Sequence, residues 1–294
     1  MIRRREFLAL GAAAPAMGAA RAVNAAPVRH AGKAEIAFKS PPGTKPNGLQ
    51  CTKDGIWMID QGEGNRAFLL SYSDGKVLRS FATETDRSSG ITFDDGTLWI
   101  GSTYNREIVH CDAMTGKTLD KHFTPGAGVI YNMVGDPPGR SSPLAKRDPN
   151  QAKKKAAPPA QNLDPSKVGG FQAGQLLGGR ALGTGAHGQE VRDGKLWMAV
   201  PPARLIFKLD PKTWVVEKRF DTAGNRPHGI GWEGRYLWCT DSNLNAFFKH
   251  DPETGEIVEK IQLAESDPLP HGMSIWEGTM WYCDDIGLIC RLKM

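Results

Sequence analysis

Apolar and polar residues alternate in short runs along most of this chain. "GIGW" (Gly229–Trp232) and "YLWCTD" (Tyr236–Asp241) flank "EGR", and "AFFKHD" (Ala246–Asp251) and "EIVEKIQL" (Glu256–Leu263) flank "PETG". Runs of this length, bounded by Gly, Asp and Pro, predict β-strands joined by tight hairpins. The pattern recurs. With Gly48, Gly90, Gly188, Gly229 and Gly272 as the origin of each unit, a tryptophan follows nine residues later every time, at Trp57, Trp99, Trp197, Trp238 and Trp281. A glycine-bearing turn lies between, at Gly55, Gly96, Gly194, Gly234 and Gly278. A second turn, "SDGK", "MTGK", "PKTW" or "PETG", comes about 26 residues after the origin, and the last unit ends at Met294 before reaching it.

Four antiparallel strands in a unit of about 42 residues, repeated, predict an all-β fold, a β-propeller. The recurring indole then fills the space between neighbouring sheets. Successive origins are 42, 41 and 43 residues apart, except for 98 between Gly90 and Gly188. That long interval contains "GDPPGRSSPLAKRDPNQAKKKAAPPAQNLDPSK" (Gly135–Lys167), whose composition suits an exposed loop or a lid. Tyr131 nevertheless falls where the next origin is due. The expectation is therefore five regular four-stranded blades plus one irregular unit, either a long insertion or a degenerate sixth blade. "AEIAFKSPPGTKPNG" (Ala34–Gly48) resembles "VVEKRFDTAGNRPHG" (Val215–Gly229). It can supply the outermost strand that the last unit lacks, closing the ring and covering a sheet edge. Residues 34–294 thus read as a single domain with an insertion at about 135–167, preceded by a linker at 23–33.

The first 22 residues read as an export signal. "RRREFLAL" (Arg3–Leu10) carries Arg4-Arg5-x-Phe7-Leu8, followed by an Ala-rich stretch and Ala20-Arg21-Ala22 as a cleavage site. This resembles a twin-arginine (Tat) signal. It implies passage through the Tat translocase and a periplasmic or secreted protein without a membrane anchor. The formal charge is +5, of which the leader supplies +3, leaving the remainder near +2, with no argument for a nucleic-acid partner. Five cysteines include no CxxC pair. Cys283 and Cys290 flank a turn, as a cross-strand disulfide would require; buried apolar thiols are the other reading.

In a propeller the first strand of each blade lines the central channel. The residue before each origin opens that strand: Asn47, Ser89, His187, His228 and His271. The residue twelve after it ends the second strand: Asp60, Ser102, Val200, Asp241 and Asp284. Antiparallel pairing puts both sets at one mouth of the channel. His187, His228 and His271 with Asp284 form a candidate metal set, since three imidazoles suit Zn, Cu or Fe. Alternatively His228 or His271 acts as a general base while carboxylates hold Mg or Ca. Glu190, a carboxylate inside a first strand, is a third candidate catalytic group. Asn47, Asp60 and Asp241 would line the ligand site, and Arg66, Arg106 and Arg204, in loops at the same mouth, could hold a carboxylate or phosphate. The structural alternative pairs His228 with Asp241 and His271 with Asp284 to join blades.

"HGIGWEGRYLWCTD" and "HGMSIWEGTMWYCDD" resemble the streptogramin B (virginiamycin B) lyase-like propellers, within a wider group of gluconolactonase-like and YncE-like proteins. The resemblance covers most of residues 34–294 outside the insertion. It implies opening of a cyclic ester by elimination, with histidine and glutamate at the mouth and a bound Mg. His228 and His271 match the two-histidine arrangement, and Asp284 or Asp285 would stand for a family carboxylate. The lyase ring has seven blades, and neither the third histidine nor the insertion belongs to its pattern. The lactonase-like calcium set finds only Asn47 and Glu190 here. A five-bladed ring is similar instead to the propeller-type glutaminyl cyclases, whose motifs are not visible. The expected function is metal-assisted lyase or lactone-opening chemistry on a small molecule; the alternative is a non-catalytic binding or scaffold propeller.

Overall fold

The computed structural model describes residues 23, 26–130, 133, 135–145 and 183–294. The export-signal reading (1–22), Tyr131 and positions 146–167 of the insertion lie outside them. From the channel outward, blade 1 is β2 (Pro46–Thr52), β3 (Gly55–Asp60), β4 (Arg66–Leu70) and β5 (Val77–Ala82). Blade 2 is β6 (Ser88–Asp94), β7 (Thr97–Ser102), β8 (Glu107–Asp112) and β9 (Thr118–Phe123). Blade 3 is β10 (Gly188–Arg192), β11 (Lys195–Val200), β12 (Leu205–Leu209) and β13 (Val216–Asp221). Blade 4 is β14 (Pro227–Glu233), β15 (Tyr236–Asp241), β16 (Ala246–His250) and β17 (Ile257–Gln262). Blade 5 is β18 (Met273–Trp276), β19 (Thr279–Asp284) and β20 (Leu288–Lys293), completed by β1 (Glu35–Lys39). All pairings within the blades are antiparallel, and the N-terminal strand closes the ring.

The core lies between blades. Each of five apolar clusters is built from two adjacent blades around one repeat tryptophan. Trp57 packs with Ile91 and Ile100, Trp99 with Leu196 and Met198, and Trp197 with Ile230 and Leu237. Trp238 packs with Met273 and Tyr282, and Trp281 with Leu49 and Met58. An indole spans the gap between diverging sheets where a smaller ring would leave a void.

The origin glycines explain the blade count. A Cβ on Gly48 would lie 2.6 Å from Gly90 Cα, one on Gly90 2.9 Å from Gly188 Cα, and one on Gly188 3.1 Å from Gly229 Cα. One on Gly229 would lie 2.9 Å from Gly272 Cα, and one on Gly272 would collide with Gly48 Cα. Five backbones therefore touch in a closed circuit. Blade 2 packs directly on blade 3, so the degenerate sixth blade is excluded and the long interval is an insertion between β9 and β10.

Ahead of β1, Arg29 forks between Glu233 and Glu259, each at 2.7 Å, and ties the chain to blade 4. The five thiols are free and buried. Cys283 pairs in register with Ile289, and Cys290 with Tyr282. The two thiols therefore face opposite sides of one blade, in different clusters, and no disulfide can join them. No helix among the described residues is long and apolar enough to cross a membrane.

Candidate functional site at the histidine mouth

The inner strands slip register where they begin, between Pro46 and Gly48 in β2 and between Ser89 and Ile91 in β6. Between Pro227 and Ile230 the same slip occurs in β14. Such a bulge sets two residues against one and re-aims a side chain. The origin position must then be glycine to permit backbone contact, and the residue before it turns into the mouth. Asn47, Ser89, His187, His228 and His271 are all buried there.

They form an arc, each touching the next. The Ser89 hydroxyl lies 2.9 Å from Asn47 Oδ1 and 3.2 Å from the His187 carbonyl. His187 Nδ1 is 3.2 Å from His228 Nε2. The His228 and His271 rings meet edge to face, centroids 4.7 Å apart. The partners assign the tautomers. His228 Nδ1 faces the Arg226 carbonyl at 3.1 Å, which can only accept, so Nδ1 carries the proton and Nε2 accepts from His187 Nδ1–H. His187 Nε2 then accepts from the Thr184 hydroxyl at 2.7 Å. Burial, reinforced by Arg226 and His271, pushes the His187 imidazolium down to about 3. His228 is driven well below the ordinary range by burial and then by its cationic and imidazole neighbours. His271 is lowered by burial, against the pull of Asp285. The mouth therefore presents neutral imidazoles at pH 7.

The three imidazoles do not share a metal centre, because the ring nitrogens of His187 and His228 bond each other and Thr184. The metal-competent group among the described residues is His271, Asp284 and Asp285, whose ligand atoms lie within 4.8 Å of one another. Burial, followed by the neighbouring Asp285 carboxyl, raises the Asp284 pKa. Two adjacent carboxyls beside an imidazole suit a divalent cation, which would offset the repulsion between them.

Four of the five residues ending the second strands, all but Val200, have a common structural task. Asp60 accepts the Lys45 amide at 2.7 Å, Ser102 the Asp86 amide at 2.9 Å, Asp241 the Arg226 amide at 3.0 Å, and Asp284 the Leu269 amide at 2.9 Å. Each ties the segment entering a blade to the end of its second strand. Neither His228–Asp241 nor His271–Asp284 forms a hydrogen bond; the aspartates hold backbone instead.

Glu190 lies on the other side of the glycine circuit. It sits three residues beyond His187 along β10, about 10 Å at 3.3 Å per residue. Its partners belong to that lower layer: Gln50 Nε2 donates to Glu190 Oε1 at 3.4 Å and also reaches Ser274 Oγ. Glu190 Oε2 is buried without a hydrogen-bond partner, and burial pushes the carboxyl up to about 8. No hydrogen bond or ion pair among the described residues joins it to the histidines.

The insertion caps the mouth. Asp136 forms a two-pronged ion pair with Arg204, at 2.6 and 2.5 Å. The Arg140 amide donates to Asn243 Oδ1 at 3.1 Å, and the Arg140 guanidinium grips Glu265 at 2.6 Å. Ser142 donates to Asp284 Oδ2 at 2.6 Å. Residues 135–145 thus run from blade 3 past blade 4 to blade 5, over the histidines. Arg204 is committed to this strap, and Arg66 lies 3.0 Å from Ser80 Oγ on its own blade. Arg106, with left-handed backbone at φ 60°, packs against the segment returning at Gly183.

The guanidinium that does enter the mouth is Arg226. Its Nη1 donates to the Arg140 carbonyl at 3.1 Å, and Nη2 lies 3.4 Å from His271 Nε2. A signal for it existed in the repeat, since the position three before the origin is Lys45, Arg87 and Arg226 in three of the five units. Ser142 and Asp136 had no such signal, because the insertion has no counterpart in the other blades.

No protein-family model matches the chain, and no curated protein matches it in sequence. Among solved structures it is similar to the glutaminyl cyclase of Myxococcus xanthus, with a TM-score of 0.57 and 10% identity over 91% of this chain and 98% of that one. It also matches virginiamycin B lyase from Staphylococcus aureus, with a TM-score of 0.45 and 19% identity over 86% of this chain and 68% of that one. A streptogramin B lyase matches with a TM-score of 0.47 and 16% identity over 89% and 97%. At these identities the likeness is one of fold.

Proposed function

We propose that this chain is an enzyme acting on a small molecule in the capped mouth, by cation-assisted lyase or lactone-opening chemistry. The observation that carries the reading is the grouping of His271, Asp284 and Asp285 beside neutral imidazoles. A divalent cation held by those three residues would polarise a carbonyl oxygen as a Lewis acid. The chain's own groups supply the rest. His187 and His228 share one hydrogen across their 3.2 Å contact, so the pair can take up a proton at His187 Nε2 in place of the Thr184 hydroxyl. The strap at 135–145 excludes water, and Ser142 orients Asp284.

A second reading, a binding propeller without turnover, draws support from Asp60, Asp241 and Asp284, each of which holds a backbone amide. We also infer export by the Tat route, from the Arg4-Arg5 leader. One experiment tests these readings together. The protein is purified from the periplasm of an exporting host without chelators, its metal is quantified, and turnover is assayed on aryl lactones and cyclic depsipeptides. The proposal expects one divalent ion per chain and turnover, both lost in Asp284→Asn/Asp285→Asn, and cytoplasmic retention of Arg4→Lys/Arg5→Lys. A bound ion with no turnover favours the binding reading; no ion and unchanged activity in the double variant would sink the cation site.

A further inference from the structure

Arg226 carries a positive charge at the mouth that no ion pair answers. Among the described residues no carboxylate lies within ion-pair distance of it; its side-chain partners are a neutral carbonyl and a neutral imidazole. Of the nearby acids, Asp285 and then Asp241 act on the guanidinium through space without reaching ion-pair distance. Asp241 accepts the amides of Arg226 and Leu244, and Asp284 accepts Leu269 N and the Ser142 hydroxyl. A guanidinium has five N–H donors in a rigid fork, and two of them account for all the side-chain contacts here. The base of the side chain is fixed: the Arg226 amide binds Asp241, and its carbonyl accepts from His228 Nδ1 and from the Ser242 amide at 3.2 Å.

We propose that Arg226 is an anion-recognition residue and that the ligand of this mouth is a small carboxylate-bearing molecule. The assignment rests on the reading of the mouth as a small-molecule site and names the class of that molecule. The Arg140 carbonyl, delivered by the strap, holds the place of one carboxylate oxygen. A carboxylate would displace it, because charge-assisted two-pronged bonds to guanidinium are roughly twice as strong as bonds to a neutral acceptor. A monoanion suits the site better than a dianionic phosphate, since Asp285 stands 4.0 Å from His271 on the same side and repels excess negative charge. The same geometry gives the strap a second role: ligand and Arg140 compete for one guanidinium, so occupancy loosens the contact that closes the mouth.

The test uses binding alone, on the full exported chain after chelation. Acetate, benzoate, succinate and inorganic phosphate are titrated by calorimetry into wild type, Arg226→Lys and Arg226→Gln. The expected result is saturable carboxylate binding that weakens at least tenfold in Arg226→Gln and less in Arg226→Lys, with phosphate weaker than the carboxylates. Phenylglyoxal labelling of the wild type, read by mass spectrometry, gives a second readout that needs no variant: carboxylate should protect Arg226 from modification. Carboxylates that do not bind the wild type, that bind Arg226→Gln equally, or that leave Arg226 labelling unchanged would overturn the assignment. Phosphate binding more tightly than every carboxylate would replace the ligand class. Carboxylate binding without turnover on any substrate would keep Arg226 and defeat the enzyme reading. Turnover of neutral lactones without carboxylate binding would do the reverse.

Discussion

Single side chains at the axis do two different jobs, and the glycine circuit separates them. Above it, burial keeps imidazoles neutral; below it, burial keeps Glu190 protonated. The Glu190 carboxyl is held at about 8 in the folded chain, against an unfolded value of 4.5. Between those values the native state binds more protons than the unfolded state, so stability is complete below about pH 4.5 and declines as pH rises through 8. A tenfold difference in proton affinity between the two states is worth about 1.4 kcal/mol, so the expected loss between pH 5 and pH 9 is on the order of 4 kcal/mol. Urea denaturation of wild type and Glu190→Gln across that range checks it: the variant should show the flatter profile. Parallel profiles would mean that Glu190 ionises freely or is paired.

At the scale of elements, the strap over the mouth is held differently from the blades. Strands are fixed by ladders and inter-blade clusters, whereas residues 135–145 are held by a few polar contacts, chiefly Asp136 to Arg204, Arg140 to Glu265 and Ser142 to Asp284. Such a segment opens locally at far lower cost than global unfolding. Asp136→Ala removes the anchor on blade 3. Limited proteolysis should then cut within 133–145 at least several-fold faster than in wild type. The midpoint of global urea unfolding should move by less than about 1 kcal/mol equivalent, because no contact within or between the blades is lost. A variant whose strap stays resistant would show that Arg140 and Ser142 suffice to hold it. Proteolysis that tracks global unfolding would show that the strap is part of the core.

The whole molecule is a ring, and its stability depends on closure. Blade 5 is completed by β1, paired with β20 from Glu35–Arg291 to Lys39–Leu288. Without β1, the outer edge of β20 is unpaired and Phe38 no longer packs on Trp281. A chain starting at residue 41 is therefore expected to lose cooperative unfolding or to self-associate. Analytical ultracentrifugation beside thermal denaturation would report either, and a monomeric truncation with the wild-type melting profile would refute the closing role.

The fold was legible because it is written in short-range spacing. Glycine and tryptophan nine residues apart, with a glycine turn between, specify two strands and the ring that packs them, and repetition leaves little architecture but a propeller. The resemblance of residues 34–48 to 215–229 revealed the closing strand for the same reason. The side chains opening the inner strands were legible too, since a recurring position must recur in space. The tertiary structure alone decided what spacing along one strand does not contain. The blade count followed from backbone contact between glycines of successive blades, the last of them far apart in sequence, Gly48 and Gly272. Whether three imidazoles converge on one ion or bond one another depends on where each ring lies relative to its neighbour across a blade gap, and packing placed His187 against His228 while leaving His271 beside Asp284 and Asp285. Glu190 reads as a neighbour of the histidines in sequence, yet about 10 Å of extended strand and the glycine circuit divide them. The insertion, which has no counterpart in the repeat, was placed over the mouth only by long-range polar contacts, and with it came the carbonyl that meets Arg226.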